Sequence, residues 1–120
     1  MADSVNDLIR KIIISTGVVT TLAGTGSSGS TNGTGTSASF NEPWGITTDG
    51  TNLYVAGNSN HLIRKIVIST GVVTTLAGSS DGSANWTGTS ASFNYPKGIT
   101  TDGTNLYVAD SGNHLIRKIE

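Results

Sequence analysis

The chain repeats itself almost without change, and this repetition limits its fold more than any other feature of the sequence. Residues 8–24 match residues 62–78 at all but one position, with an offset of 54. Residues 35–66 match residues 88–119 with five differences, at an offset of 53. Periods of this size are typical of folds in which one small unit packs against its neighbours, because a single unit cannot bury its own apolar surface. Near-identity on this scale indicates recent duplication or deliberate design.

Each repeat predicts four short strands and no helix. Asp-Gly-Thr-Asn at 49–52 and 102–105 is a hairpin signal between two apolar runs. Residues 61–68 are rich in β-branched side chains, which favour strands. In chain order we expect strand a at about 45–48 and 98–101, strand b at 52–56 and 105–109, strand c at 8–14, 61–68 and 114–119, and strand d at 18–23 and 72–77.

Both faces of these strands are apolar. In strand c, Leu62 and Ile66 point one way, whereas Ile63 and Val67 point the other way. A sheet with two apolar faces needs a cover on each side. Four-stranded antiparallel sheets stacked radially like blades meet that need, whereas a two-sheet sandwich leaves one face of each sheet wet. The predicted fold class is therefore all-β, built from four-stranded antiparallel blades.

The segment FNYPKGITTDGTNLYVADSGNHLIRKI, at 93–119, resembles an NHL repeat, the blade unit of NHL β-propellers. The resemblance rests on Phe93, Pro96, Gly98, the Asp-Gly turn at 102–103 and the run LYVADSGNH. The same pattern begins at Phe40 in the first copy, which departs from it with AGNSN where the family usually has ADSGN. The resemblance implies blades with strand a near the axis of a ring and strand d at its rim.

The five residues LIRKI occur three times, at 8–12, 62–66 and 115–119, although the chain holds only two repeats. The strand order is therefore c-d, a-b-c-d, a-b-c. We expect a partial blade at 1–24, a full blade at 25–78, and a partial blade at 79–120 that another chain completes. The family resemblance implies that rings close most often with six blades. Three chains would supply six blades and four would supply eight, so the expected partner is the chain itself, as a homotrimer or else a homotetramer.

Composition excludes several classes of partner and site. Charged residues make up 12% of the chain and the net charge is −1, so a nucleic-acid partner is not expected. The absence of cysteine excludes disulfides and thiolate metal sites. No apolar run reaches transmembrane length, and no membrane partner is expected. The N-terminal residues MADSVNDLIRK do not form a signal peptide, which suggests a cytoplasmic chain as expressed, while secretion of a parent protein stays open.

The ionisable side chains favour structural roles. His61 and His114 lie at the corner between strands b and c, and no cysteine or glutamate stands at metal-ligand spacing beside them. The Arg-Lys pairs at 64–65 and 117–118 are expected to lay their stems over neighbouring strands and keep their charged heads in solvent. No nucleophile elbow, phosphate loop or carboxylate pair is visible. We therefore expect no catalytic residue, no metal and no cofactor.

Differences between the repeats cluster just before strand a and between strands b and c. In a propeller these two connections share one edge of the ring, so the differences mark a candidate ligand-binding face. The candidate residues are Glu42, Trp44, Trp86, Tyr95 and Lys97. Tryptophan and tyrosine supply large, fairly rigid contact areas, which suits a glycan or a peptide. Free drift of exposed loops would produce the same clustering and is the alternative.

The sequence thus favours a non-enzymatic scaffold or binding module that assembles into a closed ring. Two other interpretations stay open. One is an engineered or ancestral-type repeat protein with no natural ligand. The other is a piece of a metal-dependent lyase or lactonase, since some NHL-like propellers resemble such enzymes. Those enzymes need axial histidines and carboxylates, whereas strand a here carries Thr47 and Thr48.

Overall fold

A computed structural model describes all 120 residues as short strands joined by turns and by three-residue 3₁₀ helices. The strands are β1 (Ala2–Asp3), β2 (Leu8–Ile12), β3 (Val19–Ala23), β4 (Gly33–Thr34), β5 (Pro43–Thr48), β6 (Asn52–Gly57), β7 (Leu62–Val67), β8 (Val72–Ala77), β9 (Pro96–Thr101), β10 (Leu106–Asp110) and β11 (Leu115–Ile119). The helices are Ser4–Asn6, Gly35–Ser37, Gly88–Ser90 and Ser111–Asn113. No helix is long and apolar enough to cross a membrane.

The strands form three antiparallel sheets. The N-terminal sheet has the order β1-β2-β3, the central sheet β4-β8-β7-β6-β5, and the C-terminal sheet β11-β10-β9. In the central sheet, β5 to β8 are the predicted strands a to d. The predicted all-β fold with antiparallel sheets is confirmed.

Two short strands were not predicted. β1 pairs with β2 through Ala2 and Ile9, and its sequence aligns with the end of β10, so it is a remnant of strand b. β4 pairs with the outer edge of β8 through Gly33 and Val73. Each has only two residues, too few to show the alternation by which a strand is recognised in a sequence.

Equivalent strands pair in the same register. Arg64 of β7 lies opposite Thr75 of β8, and Arg10 of β2 lies opposite Thr21 of β3. Both pairs of strands shift register at the same place, just before the arginine. The N-terminal pair β2-β3 therefore reproduces the outer half of the central sheet.

Two apolar clusters hold the three sheets together, and five of the seven residues in each are equivalent. Both contain an isoleucine from strand c, an alanine from strand d, a valine from strand b, and an alanine and a phenylalanine from the loop before strand a. The first cluster has Ile9, Ala23, Ala38, Phe40, Val55, Ile66 and Val73. The second has Ala56, Ile63, Ala77, Ala91, Phe93, Leu106 and Val108. Packing of one sheet on the next is thus the repeated feature of the fold, as the duplicated sequence requires.

Arg64 and Arg117 of strand c are buried, and the expectation that their charged heads lie in solvent was wrong. The Arg64 guanidinium donates hydrogen bonds to the carbonyl oxygens of Ser39 (2.8 Å) and Thr31 (3.0 Å) and to the Asn32 side-chain oxygen (2.9 Å). It also lies over the ring of Phe40, 5.2 Å from the centroid. Burial lowers the pKa of Arg64 to about 10. The loop before strand a carries unpaired carbonyl groups, and the planar fork of the guanidinium satisfies them.

Candidate functional site

The connections from strand b to c and from strand d to a meet at one edge of the sheets. The backbone N–H of Asn58 donates to the carbonyl oxygen of Glu42 (3.0 Å), and that of Gly112 donates to the carbonyl oxygen of Asn94 (2.7 Å). Because these bonds join the two kinds of connection within each repeat, the varied segments form a continuous edge. We call it the variable edge, and it contains four of the five candidate residues.

Trp44 and Lys97 are the two residues of the variable edge that belong to strand a. Each is the second residue of a strand a, in β5 and β9 respectively. The Lys97 ammonium nitrogen lies 4.7 Å from the centroid of the Trp44 ring, within the range of a cation–π interaction. Both side chains are exposed, so they present an aromatic face and a positive charge side by side.

Glu42 and Tyr95 adopt left-handed backbone conformations, with φ of 47° and 49°. The N–H of Tyr95 donates to the Nδ1 atom of His61 (3.1 Å), and the two rings meet edge to face at 4.8 Å. The N–H of Glu42 donates to the Asp7 carboxylate (2.7 Å), and the Glu42 carboxylate accepts the hydroxyl of Ser59. Asp7 and His61 thus occupy equivalent positions just before strand c of their own sheets. Each accepts a backbone hydrogen bond from the residue that precedes strand a of the next sheet.

Trp86 lies apart from the other four candidates. It is 74% exposed and lines a cavity of about 470 Å³ beside β11, together with Asn85, Phe93 and Arg117. None of Glu42, Trp44, Tyr95 or Lys97 lines this cavity. The structure therefore separates Trp86 from the variable edge.

The opposite edge carries the a-to-b turns, which are identical in the two repeats. The Asp49 carboxylate accepts the N–H groups of Thr51 (2.9 Å) and Asn52 (2.7 Å) and the hydroxyl of Tyr54 (2.8 Å). Hydrogen bonds from Asn52 and then Thr51 are the main causes that hold the pKa of Asp49 well below its usual range. These contacts make Asp49 a turn-forming residue. No group of three or more histidines or carboxylates lies close enough together to hold a metal ion.

The two terminal sheets expose apolar residues whose equivalents are buried in the central sheet. Ile116 is 76% exposed, whereas its equivalent Ile63 is fully buried. Ile12 is 45% exposed, whereas its equivalent Ile66 is fully buried. Each terminal sheet thus presents a surface that the repeat normally covers with another sheet.

Comparison with known proteins identifies the family. The NHL repeat family matches residues 93–119, and NHL repeat-containing protein 2 from Bos taurus is 35% identical over 134 aligned residues. The chain belongs to the NHL-repeat family. That alignment covers 100% of this NHL-repeat chain and 18% of the bovine protein, so the chain spans about a fifth of the length of its curated relative.

Solved structures resemble this NHL-repeat chain over nearly its whole length. A Bacteroides thetaiotaomicron protein of unknown function is 30% identical with a TM-score of 0.86, over 98% of the chain and 31% of that protein. An auxiliary nutrient binding protein from Bacteroides ovatus is 25% identical with a TM-score of 0.83, over 98% of the chain and 33% of that protein. Another Bacteroides thetaiotaomicron structure carries a provisional phosphatase name. It is 22% identical with a TM-score of 0.74, over 97% of the chain and 31% of that protein. At this identity the likeness shows the fold alone.

Sequence reasoning missed the arginine anchors of the NHL repeats. Arg117 donates to the carbonyl oxygens of Ser92 (3.1 Å) and Ala84 (3.0 Å) and pairs with the buried carboxylate of Asp110 (2.8 Å). Strand alternation was the available signal, because it places Arg64 on the same face as Leu62 and Ile66, which are apolar and were predicted to face a neighbouring sheet.

Proposed function

We propose that this chain is a non-enzymatic NHL propeller scaffold that assembles head to tail with copies of itself into a closed ring. One observation carries the proposal: each end of the chain lacks the strands that the other end can supply. The C-terminal sheet has strands a, b and c without d, and the N-terminal sheet has c and d with only a remnant of b.

The N-terminal vacancy has the apolar lining that a second sheet would need. A cavity of about 610 Å³ lies between the N-terminal and central sheets, at the place where a complete first sheet would hold strands a and b. Ile12, Leu22, Ile46 and Leu53 line it. The a-b hairpin of a second copy, β9-β10, has the length and the apolar residues to fill this cavity.

The exposed surfaces support a head-to-tail contact. The face of the C-terminal sheet that carries Ile116 differs from the surface beside Ile12, so the contact joins two different patches. Such a heterologous contact closes into a ring when the rotation between copies allows it. An isolated chain would instead expose apolar sheet faces and an open strand edge, which favour aggregation.

Three copies suit the length of the solved neighbours. The chain aligns with 31% to 33% of those chains, so about three copies would supply a ring of comparable size. On this proposal residues 1–24 are a partial blade, residues 25–78 a full blade, and residues 79–120 a partial blade completed by the next copy. A tetramer with eight blades is the alternative ring.

Light scattering over a wide concentration range tests the assembly. The expected result is a single species larger than one chain that persists on dilution and stays soluble. A soluble monomer at every concentration would contradict the proposal.

We further propose that the variable edge is the surface on which the ring binds a glycan or a peptide. The exposed pair Trp44 and Lys97 supports this proposal, because aromatic faces beside a charge suit such ligands. The nutrient-binding name of the Bacteroides ovatus neighbour also supports it. In a ring, Trp44 and Lys97 would alternate around the axis.

A glycan and peptide screen monitored by tryptophan fluorescence tests this second proposal. Binding should be lost in Trp44→Ala and Lys97→Ala and kept in Asp49→Ala, which alters the opposite edge. A ligand unaffected by the first two changes would place the site elsewhere. No ligand in either library would favour a scaffold without a small ligand, as expected of an engineered or ancestral-type repeat protein.

The lyase or lactonase alternative finds less support in the donor set. Strand a carries threonines where such an enzyme would need histidines and carboxylates around the axis. If the enzyme alternative holds, the purified ring should carry stoichiometric metal in elemental analysis.

A further inference from the structure

The C-terminal sheet contains a vacant site shaped for one strand. In the central sheet, β8 lies between β7 on one side and β4 on the other. The C-terminal sheet has the equivalents of both neighbours of β8 but no strand between them. β11 corresponds to β7, and Trp86-Thr87 corresponds to Gly33-Thr34 of β4. The cavity of about 470 Å³ lies between these flanks. We call it the strand slot.

Polar groups in the strand slot are already placed for a strand d. In the central sheet, the Asn32 side-chain oxygen accepts hydrogen bonds from Arg64 (2.9 Å) and from the hydroxyl of Thr75 in β8 (3.2 Å). At the slot, the Asn85 side-chain oxygen accepts a hydrogen bond from Arg117 (2.6 Å). This Asn85 oxygen could accept a second hydrogen bond, but the chain has no strand-d threonine at this place to donate it.

The backbone at the slot repeats the same arrangement. The N–H of Gly35 donates to the carbonyl oxygen of Gly71, at the start of β8, over 2.8 Å. Gly88 occupies the position of Gly35 in the C-terminal repeat, where no strand d follows. A docked strand would therefore find both a side-chain acceptor and a backbone donor in position.

Residues 17–24 have the same sequence as residues 71–78, GVVTTLAG, so β3 has the sequence that fits the slot. Val19 of β3 is 45% exposed, whereas its equivalent Val73 is 1% exposed. We propose that the strand slot binds residues 18–23 of a second copy, and that this second copy releases its own residues 1–12 to make room for β11. This inference rests on the proposed ring and specifies how its seam forms.

The choice between the two copies of strand c follows from the corner between strands b and c. In the C-terminal sheet this corner contains Gly112, and a Cβ atom there would lie 2.6 Å from the side chain of Asn94 and 2.7 Å from its carbonyl oxygen. The equivalent residue of the N-terminal copy is Val5, which is 93% exposed. If β2 took the place of β11, Val5 would push Asn94 aside, whereas the same corner of the central sheet holds the smaller Ser59.

β11 fits at the seam without such a displacement. It would move into the place that β2 holds in the second copy, so that the exposed Ile116 takes the buried position of Ile9 against Phe40. β3 would stay packed on its own central sheet. By equivalence with β7 and β8, Arg117 would lie opposite Thr21 and Ile116 opposite Ala23. On the other side of the slot, Trp86 would lie opposite Val19, as Gly33 lies opposite Val73.

Trp86 gives the seam a contact that the complete sheet lacks. Its counterpart in the central sheet is Gly33, which has no side chain. When β3 of a second copy fills the slot, the Trp86 ring would cover the docked strand. Trp86 would thus act as a seam contact, whereas the other four candidates lie on the variable edge.

A pair of deletions tests which copy of strand c is used. Native mass is measured for the wild type, for a chain lacking residues 1–12 and for a chain lacking residues 115–120. We expect the first deletion to keep the oligomer and the second to lose it. The reverse pattern, retention in both, or loss in both would overturn the proposal. A wild type that is monomeric in the same experiment would refute the proposed ring itself.

A peptide gives a second readout that does not depend on the deleted chains folding. The peptide GVVTTLAG, residues 17–24, is added during refolding of Trp44→Phe, which leaves Trp86 as the single tryptophan. We expect a shift in Trp86 fluorescence and loss of the oligomer. A matched peptide with Thr21→Val should bind about tenfold more weakly, because it leaves Asn85 without its second donor. No shift with the parent peptide, or equal binding of both peptides, would overturn the slot.

Discussion

At the scale of single residues, the arginines of strand c explain how a small all-β chain with few charges keeps its loops in place. Arg64 joins two carbonyl groups and an asparagine of the loop before strand a, and its plane stacks on Phe40. Lysine carries a point charge and cannot reproduce this fork. The central and C-terminal sheets therefore each hold one buried arginine, Arg64 and Arg117, that faces a neighbouring sheet.

Arg64→Met should lower the free energy of unfolding by about 3 kcal/mol, because the substitution leaves buried carbonyl groups unpaired. Lys65→Met is the matched control, since Lys65 is the next residue and makes no comparable contact, and its effect should stay within about 0.5 kcal/mol. Chemical denaturation at a fixed chain concentration measures both changes. Equal effects of the two substitutions would show that the guanidinium contacts contribute little.

Asp49 gives a prediction about pH. Its pKa is lowered in the folded chain, so it adds stability that is fully present above its unfolded pKa of about 3.9 and is lost as pH falls through the folded value. Asp49→Asn should therefore lower the melting temperature at neutral pH, and the deficit should shrink below about pH 4. Thermal melts across pH measure this, with Asp81→Asn as an exposed control. A deficit that does not change with pH would contradict the role of the charged carboxylate.

At the scale of elements, the hairpins could be predicted because their signals are local. Asp-Gly-Thr-Asn marks the turn between β5 and β6, and the observed turn is held by Asp49 as that chemistry requires. β1 and β4 could not be predicted, because their pairing depends on which strand edge lies beside them. The variable edge could be predicted from the differences between repeats. The position of Trp86 could not be predicted, because it depends on how the loop between β8 and β9 runs beside β11 of the C-terminal sheet.

Strand a provides a matched pair of glycines that distinguishes folding from assembly. A Cβ atom at Gly45 would lie 2.3 Å from the carbonyl oxygen of Lys97, whereas at Gly98 the nearest contact is Ala109 at 3.6 Å. Gly45→Ala should therefore destabilise the chain itself. Gly98→Ala should keep the fold and lose the oligomer, because in a closed ring this glycine would face the Trp44 carbonyl group of the next copy.

Circular dichroism melts and native mass of the two glycine variants measure these effects. An oligomer that survives Gly98→Ala unchanged would show that strands a of neighbouring copies do not approach one another as β5 and β9 do within the chain.

The strand slot gives one further prediction at this scale. Trp86→Gly restores the residue found in the central sheet and removes the proposed seam contact. The concentration at which half of the chains are assembled should rise at least about tenfold, since a buried tryptophan is among the strongest interface contacts. Asp81→Asn, an exposed change in the same loop, should leave that concentration nearly unchanged. Dilution series followed by mass photometry or sedimentation would show equal effects if the slot were not part of the seam.

At the scale of the whole molecule, this NHL-repeat chain has two different terminal sheets. Its apolar clusters repeat from sheet to sheet, and both terminal sheets expose residues that the central sheet buries. Head-to-tail closure would bury the face of the C-terminal sheet that carries Ile116, with contacts that the chain already makes once internally. The proposed ring would therefore reuse the sheet-to-sheet packing that the chain already contains.

Native mass spectrometry of the wild-type chain tests this central claim most directly, because it counts the copies. A closed ring of three copies would give one dominant species with three times the 12.3 kDa chain mass. A species with four copies would keep the closed ring and change its blade number to eight. A dominant monomer, or a continuous series of masses without a closed species, would rule out the closed ring.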